Sequence, residues 1–401
     1  MRGTVRLGKR ALLAIVLCGS AVQGVAHAGC DRFVAALAKA TTAHEQLVAL
    51  PVDSELDPLL TPAAQQAIDR NKAAIAEVVS TRMGCAPGDV DAQLLQRGLN
   101  GEMQALNAQC DEHCKQSEYH DVPQFEMARI PGHPSLIAIQ SRQSIECGAD
   151  GALFVYEYAE RKWHERIRWQ SESYDKVSGA LEAFDFRIAP ADAHGDWYVL
   201  VKDIMPWCSS TWSTVRYAVL RPATAQSAQR VIFRGADSIW WGNDDVGRIA
   251  AQAGQFDVRF HAASIDGGIH NREWIRHYAI DGDQVRRTAP VAVSPRDFVD
   301  EWLVSPWPQA REWSLPKQHA TLESWHTRLG DRQAHGYEFA AVRACDDRPR
   351  HVEVELSDIR DEAAYFLSVD GSSADFRLSG VAERASAHCA GKDLLEAMQT
   401  K

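Results

Sequence analysis

The chain has 401 residues, a formal net charge of −11 at pH 7 and a hydrophobic fraction of 45%. Its length allows two or three domains of ordinary size. Nucleic acid and anionic membrane surfaces are disfavoured as partners, because both bind basic patches and this chain is acidic.

The first 28 residues have the pattern of a secretory signal peptide. A basic stretch precedes an apolar run over residues 11–22, and Ala26-His27-Ala28 forms a small-residue cleavage site. The apolar run is too short to span a membrane, and no later segment is long enough, so no transmembrane segment is predicted. The residues before Cys30 lack the Leu that usually precedes a lipidated cysteine. We therefore expect a periplasmic or secreted protein rather than a lipid-anchored one, and the Ala- and Arg-rich composition is typical of bacteria.

The cysteines predict disulfide bonds. Cys18 would leave with the signal peptide, and an even number would remain in the exported chain. Two pairs follow from position, since one brackets the last β-rich section and one joins equivalent positions in the repeat described below. The predicted pairs are Cys345–Cys389, Cys147–Cys208, Cys30–Cys85 and Cys110–Cys114.

Residues 29–120 are predicted to be helical. Apolar residues recur at helical spacing, and Thr61-Pro62 is a combination that begins many helices. Near the end of the segment, Cys110 and Cys114 flank His113. Thiolate and imidazole ligands suit copper or zinc, but the motif points to no further ligands, so a structural disulfide is the simpler interpretation. No metal or other cofactor is therefore predicted.

Three consecutive stretches predict a structural repeat. Ala128, Ala189 and Ala250 are spaced 61 residues apart, and each lies in a similar short motif. The same frame aligns one tyrosine inside an apolar run of each copy. A fixed interval of this kind is typical of one supersecondary unit used repeatedly. The predicted copies within 123–305 are 123–183, 184–244 and 245–305, and the aligned tyrosines are Tyr156, Tyr217 and Tyr278.

Each copy contains three or four runs of β-forming residues, separated by Gly- and Asp-rich turns. Four short antiparallel strands per repeat are typical of a propeller blade, but propellers have about 4–8 blades and the frame gives three copies. The predicted fold class is mainly β with a helical N-terminal segment (α+β), either propeller-like or a related antiparallel β assembly. A further blade after residue 305 is left open.

Two histidines, His133 and His194, also share a column of the repeat. A loop histidine repeated in this way can line a common face and bind a metal ion. An exposed turn residue is the simpler interpretation, and the third copy has Gln255 in this position.

The end of the second copy contains the candidate ligand-binding residues. Trp241 stands beside Asn243, Asp244 and Asp245. An indole with polar neighbours is typical of sugar sites, and carboxylates suit Ca²⁺. The alternative is a core tryptophan followed by a polar turn. Trp240, which completes the preceding β-run, is expected to pack in the core.

From Ser294 the pattern changes. Ser294-Pro295 begins a helix, and residues 306–335 are predicted to be a helical linker. Residues 336–401 return to β-forming runs and are predicted to form a small C-terminal β unit, closed by the Cys345–Cys389 disulfide.

No catalytic signature accompanies these elements, and whether the protein is an enzyme stays open. The predicted function is a non-catalytic binding or interaction module, with an unidentified ligand or protein as its partner. The first alternative is an extracytoplasmic hydrolase whose site is built from loops on one face of the repeats. The second is a thiol or copper protein that uses Cys110 and Cys114.

Overall fold

The computed structural model describes most of the chain and shows a mainly β protein with a few helices. The described residues are 30–50, 61–107, 121–145, 148–171, 178–179, 184–204, 212–240, 247–267, 271–330 and 336–394. None of the helices in these ranges is long and apolar enough to cross a membrane.

Three helices open the described chain and cover one face of the first sheet. Their bounds are Cys30–Val48 (α1), Pro62–Cys85 (α2) and Ala92–Asn107 (α3). Thr61 caps α2, because its side chain accepts a hydrogen bond from the amide of Ala64 at 3.2 Å, and Pro62 has the φ that a first helical turn requires. Val78 of α2 belongs to the same buried cluster as Phe154 of the first sheet, so helices and sheet share one core.

The strands form four antiparallel sheets, each with four strands in chain order, and the first sheet carries one additional short strand. Sheet 1 contains Gln124–Ile130 (β1), His133–Ile145 (β2), Gly148–Ala159 (β3), Lys162–Gln170 (β4) and Ser178–Gly179 (β5). Sheet 2 contains Asp185–Ile188 (β6), Val199–Ile204 (β7), Trp212–Arg221 (β8) and Arg230–Trp240 (β9). Sheet 3 contains Arg248–Gln252 (β10), Gln255–Ala262 (β11), Arg272–Asp281 (β12) and Gln284–Thr288 (β13). Sheet 4 contains Tyr337–Ala344 (β14), His351–Asp358 (β15), Ala363–Asp370 (β16) and Arg377–Ala382 (β17), so a fourth sheet follows residue 305.

Sheets 1, 2 and 3 are packed through their apolar faces. In β11, Phe256 and Val258 alternate with less buried residues and share a cluster with Tyr217 of sheet 2. The other face of sheet 2 packs on sheet 1, where Val199 and Leu153 lie in one cluster. Helices α1–α3 cover the remaining face of sheet 1, which is the face that another blade would contact in a closed propeller.

The 61-residue interval of the sequence appears as direct contacts between neighbouring sheets. The hydroxyl oxygens of Tyr217 and Tyr278, on sheets 2 and 3, are 3.0 Å apart. The amide side chain of Gln229 accepts from the backbone N–H of Arg168 at 2.6 Å and donates to its carbonyl at 2.7 Å, which joins sheet 2 to sheet 1. Both pairs are separated by 61 residues, so the interval corresponds to the step from one sheet to the next.

The interval describes the third strands better than the second strands. Tyr156, Tyr217 and Tyr278 are buried, and each lies on the third strand of its sheet. The residues that face them on the second strands are Ile137, Lys202 and Phe256, which are not 61 residues apart. The connections between second and third strands differ in length, and a change in connection length shifts the pairing register. A gap-free alignment of the copies is therefore wrong for the second strands.

The C-terminal part combines sheet 4 with three helices. Their bounds are Pro295–Val304 (α4), Trp307–Glu312 (α5) and His319–Leu329 (α6). As the sequence indicates, Ser294 caps α4, accepting from the amide of Asp297 at 3.1 Å. Phe298 and Trp302 of α4 are fully buried and share a cluster with Leu356 of sheet 4. The core contacts therefore place α4, which lies inside the third predicted copy, with the C-terminal sheet.

The predicted Cys345–Cys389 disulfide is present. It joins the end of β14 to a short 3₁₀ turn over Ala387–Cys389. A backbone hydrogen bond from Asp346 to His388, at 2.9 Å, holds the same two segments together. Closing this loop should stabilise the C-terminal sheet, because the cross-link restricts the unfolded chain.

Candidate functional site

A polar cleft of about 500 Å³ opens where connections of sheets 1, 2 and 3 meet. Its walls come from the ends of β3 and β4, from 195–197 between β6 and β7, from 222–227 between β8 and β9, and from 282–283 between β12 and β13. Each of these connections follows the first or third strand of a sheet whose strands run in chain order, so they leave the sheets at the same end. We call this site the three-sheet cleft.

Charged side chains line the three-sheet cleft in balanced numbers. The arginines are Arg166, Arg221 and Arg230, and the carboxylates are Glu157, Asp196 and Asp283. Because the positive and negative groups are equal in number, the lining has no net charge. It offers many donors and acceptors and favours a polar, uncharged ligand over a simple anion or cation.

Arg166 holds the sheet 1 wall against the sheet 2 wall. Its guanidinium binds Glu157 through two nitrogens, at 2.6 and 2.7 Å, and donates to the backbone oxygen of Ala223 at 3.1 Å. The amide of Ala223 in turn donates to the backbone oxygen of Arg166 at 2.8 Å. A carboxylate bound at two points fixes the plane of the guanidinium, so this wall is rigid.

Two further arginines hold the sheet 2 wall against sheet 3. Arg221 donates to the backbone oxygen of Gly282 at 2.8 Å and to that of Trp197 at 3.4 Å. Arg230 forms an ion pair with Asp283. The cleft is thus preorganised by contacts between sheets, which reduces the entropy lost when a ligand binds.

Trp197 supplies an aromatic surface in this polar cleft. It is half-buried, and its ring lies 5.8 Å from that of His133. Thr224 and Ser227, on the other side, offer hydroxyl groups and bond to each other at 2.9 Å. An indole face beside hydroxyl, carboxylate and guanidinium groups can bind a ligand that has both apolar faces and many hydroxyls.

A second cleft, of about 620 Å³, lies between α3 and the first strands of sheets 1 and 2. Two of its polar side chains already have structural partners. Asn100 bonds to the backbone N–H and carbonyl of Phe125, at 2.8 and 2.9 Å, and Gln96 accepts from the amide of Met127 at 2.8 Å. These amides join α3 to β1, so they are less available to a ligand than the groups of the three-sheet cleft.

A buried charge network joins sheets 2 and 3 to α4. Glu301 is fully buried and receives Arg287 at 2.8 Å, Arg276, and Arg272 at 3.6 Å. Arg272 also binds the equally buried Asp300 at 2.7 Å. Opposite charges that leave water together must be paired, so this network fixes how α4 sits on the sheets.

The network continues to the tyrosines of the repeat. Arg276 binds Asp237 at 2.9 Å, and Asp237 accepts from the hydroxyl of Tyr217 at 2.8 Å. Burial, together with the facing carboxylate, raises the pKa of Tyr217, so this hydroxyl remains protonated and donates. Because every member has a partner and no cleft described above includes Asp237 or Tyr278, we assign the network to structure.

Another buried cluster, Lys72, Asp150 and Ser171, joins α2 to sheet 1. Lys72 lies 3.2 Å from Asp150 and donates to the backbone oxygen of Ser171, while the hydroxyl of Ser171 donates to Asp150 at 2.5 Å. Burial raises the pKa of Asp150, and the Lys72 charge opposes that shift. The serine hydroxyl is committed to the carboxylate and is 2% exposed, so this Ser–Lys pair is an anchor rather than a nucleophile and its base.

Most of the residues that the sequence singles out lie outside the described part of the chain. These are Trp241, Asn243, Asp244, Asp245, Cys147, Cys208, Cys110 and Cys114. Cys85 is half-buried at the end of α2, and the side chain of its predicted partner Cys30 is also outside the described part. Trp240 is half-buried at the end of β9, so the expectation of a fully packed core position is wrong.

The three-sheet cleft was not predicted from the sequence. Its residues are ordinary turn and strand-end types, spread from Glu157 to Asp283, and only the packing of sheets brings them together. One indication was available: His133 and His194 share a repeat column, and both lie at the sheet ends where the cleft opens, His133 beside Trp197 and His194 next to Gly195.

Comparison with known proteins gives no relative: no family model, no curated protein and no solved structure matches the chain.

Proposed function

We propose that this protein is a non-catalytic binding module and that the three-sheet cleft binds an uncharged, hydroxyl-rich ligand of the saccharide class. The carrying observation is the composition of the cleft, which combines an indole face with balanced arginines, carboxylates and hydroxyls. Sugar rings present apolar faces to aromatic side chains and hydroxyls to such polar groups.

The state of the carboxylates supports binding over hydrolysis. Glu157 is held by two nitrogens of Arg166, and Asp283 is paired with Arg230. A glycosidase requires a pair of carboxyl groups, one of which must donate a proton. Two of the three carboxylates in this cleft are engaged as ion pairs, which favours roles in positioning.

The proposal includes the architecture and the location of the protein. We propose that sheets 1–3 are copies of one four-stranded unit, arranged like adjacent blades of an open propeller. Contacts between residues 61 apart support this view. We also propose that residues 1–28 direct export of a bacterial protein to the periplasm or medium, where a disulfide such as Cys345–Cys389 is stable.

A cleft-filling variant tests the binding proposal. Ala225 is exposed on the cleft wall, so Ala225→Trp should occupy the cleft without disturbing the core. Ala385 is exposed in a segment after sheet 4, and Ala385→Trp is the matched control. Binding is measured on an array of oligosaccharides and then by calorimetry.

We expect the wild-type protein and Ala385→Trp to bind the same glycans and Ala225→Trp to lose them. Equal binding by both variants, or no glycan bound by the wild-type protein, contradicts the proposal. Release of reducing ends from a bound glycan would instead support the hydrolase alternative.

A further inference from the structure

Three side chains with metal-binding atoms converge at one end of sheet 4. Cys345 follows β14, His351 begins β15, and Cys389 ends the 3₁₀ turn beside them. The sulfur atoms and a ring nitrogen of His351 all lie within 4.8 Å of one another. His351 and Cys389 are buried, with 5% and 2% exposure. Among the described residues this is the single group of three such side chains.

Asp347 determines which ring nitrogen of His351 can bind a metal. Nδ1 lies 2.6 Å from Oδ1 of Asp347, and because a carboxylate only accepts, Nδ1 carries the proton. Nε2 then has a lone pair, which accepts from the guanidinium of Arg348 at 3.2 Å. Metal-binding histidines commonly donate their other N–H to a carboxylate, which orients the ring. His351 is therefore held in the tautomer that a metal site requires.

The neighbouring arginine does not block this nitrogen permanently. Arg348 also binds Asp370 at 2.9 Å and lies 3.4 Å from Asp347. If a metal ion took the lone pair of Nε2, Arg348 would keep these two carboxylates as partners. The carboxylates would also offset the positive charge of the guanidinium near the ion.

We propose that reduction of the Cys345–Cys389 disulfide converts this cluster into a Zn²⁺ site, with the two thiolates and Nε2 of His351 as ligands and a water molecule in the fourth position. Thiolate and imidazole ligands in a four-coordinate arrangement suit zinc. In the disulfide neither sulfur is a thiolate, so oxidation removes the site.

The chemistry balances with a dithiol as reductant. The dithiol transfers two electrons and two protons, the S–S bond of the protein breaks to give two thiols, and the dithiol becomes a disulfide. When Zn²⁺ binds, two Zn–S bonds form and the two thiol protons pass to solvent. Two thiolates balance the charge of the ion, which suits a site whose histidine is buried.

The test compares metal content in the two redox states. The mature protein is reduced by a phosphine without oxygen, desalted, incubated with Zn²⁺, desalted again and analysed by metal mass spectrometry. We expect reduced wild-type protein to retain one more Zn²⁺ per chain than oxidised protein, and the double variant Cys345→Ser, Cys389→Ser to lack that additional ion. Co²⁺ in place of Zn²⁺ should give a thiolate-to-metal absorption band that is stronger in the wild-type protein than in the double variant.

Histidine variants separate this site from other cysteines of the chain. His351→Gln should abolish the additional ion, and Asp347→Ala should weaken Zn²⁺ affinity about 10–100-fold. His277 is a matched control, because its Nδ1 lies 2.5 Å from a carboxylate oxygen of Asp257 on sheet 3, and His277→Gln should leave zinc uptake unchanged.

Three results would overturn the proposal. They are equal zinc in wild-type protein and the double serine variant, equal zinc in His351→Gln and His277→Gln, and a reduced protein that unfolds and does not regain its native circular dichroism when Zn²⁺ is added.

Discussion

Replacement of Glu301 by glutamine should destabilise the protein strongly, although glutamine has nearly the same size. Glu301 is fully buried and is the shared acceptor for Arg272, Arg276 and Arg287. Removing one partner of a buried ion pair costs about 3–5 kcal/mol, because the other charge stays buried without compensation.

The structure places the expected cost at the lower end of that range. Arg272 keeps Asp300 at 2.7 Å and Arg276 keeps Asp237 at 2.9 Å, so two of the three arginines retain an acidic partner. Arg287 retains only the backbone oxygen of Ile275, at 3.1 Å, among its described hydrogen-bond partners. We therefore expect Glu301→Gln to lower the free energy of unfolding by about 3 kcal/mol.

Urea unfolding followed by circular dichroism measures this change. Glu312 is exposed on α5 and only its backbone oxygen has a described contact, so Glu312→Gln is the control and should change stability by less than about 0.5 kcal/mol. In a double-mutant cycle, Arg287→Met should cost less in the Glu301→Gln background than in the wild-type protein. A loss below about 1 kcal/mol, or additive effects of the two changes, would refute the argument that the network anchors α4.

Three more predictions concern single contacts. Lys72→Met should cost about 3–5 kcal/mol at neutral pH, because Asp150 would remain buried without its cation; since burial raises the pKa of Asp150, acidification should restore part of the loss, and an unchanged loss at low pH would contradict this. Tyr217→Phe should cost about 1–3 kcal/mol in urea unfolding, since Asp237 and Tyr278 each lose a hydrogen bond, and no loss would contradict the contact. Burial lowers the pKa of His326, so wild-type stability should fall as pH drops below about 6.5 towards the folded-state value, and His326→Gln should flatten that slope in melting experiments; parallel slopes would contradict the assignment.

The sequence predicted elements better than it predicted their assembly. Thr61-Pro62 and Ser294-Pro295 do begin helices, since a cap depends only on neighbours in the chain. The aligned tyrosines fall on third strands for a similar reason, because periodic apolar runs reflect local structure.

Features that depend on distant residues were not predicted. The register between second and third strands depends on connection length, which the gap-free frame ignored. The three-sheet cleft and the Glu301 network draw residues from several elements each, and no local pattern marks Arg166 or Arg276 as a member. Cys345 and Cys389 were an exception, because both flank the same β-rich section.

The most direct test of the account is hydrogen–deuterium exchange of the mature protein, with and without a glycan selected on the array. The account predicts that the glycan slows exchange at 195–197, 222–227 and 282–283, the connections that form the three-sheet cleft. The strands that flank 205–211 and 241–246 end at the opposite edge of the sheets. Protection confined to those two segments, the second of which contains Trp241, would contradict the three-sheet cleft and support the ligand site predicted from the sequence.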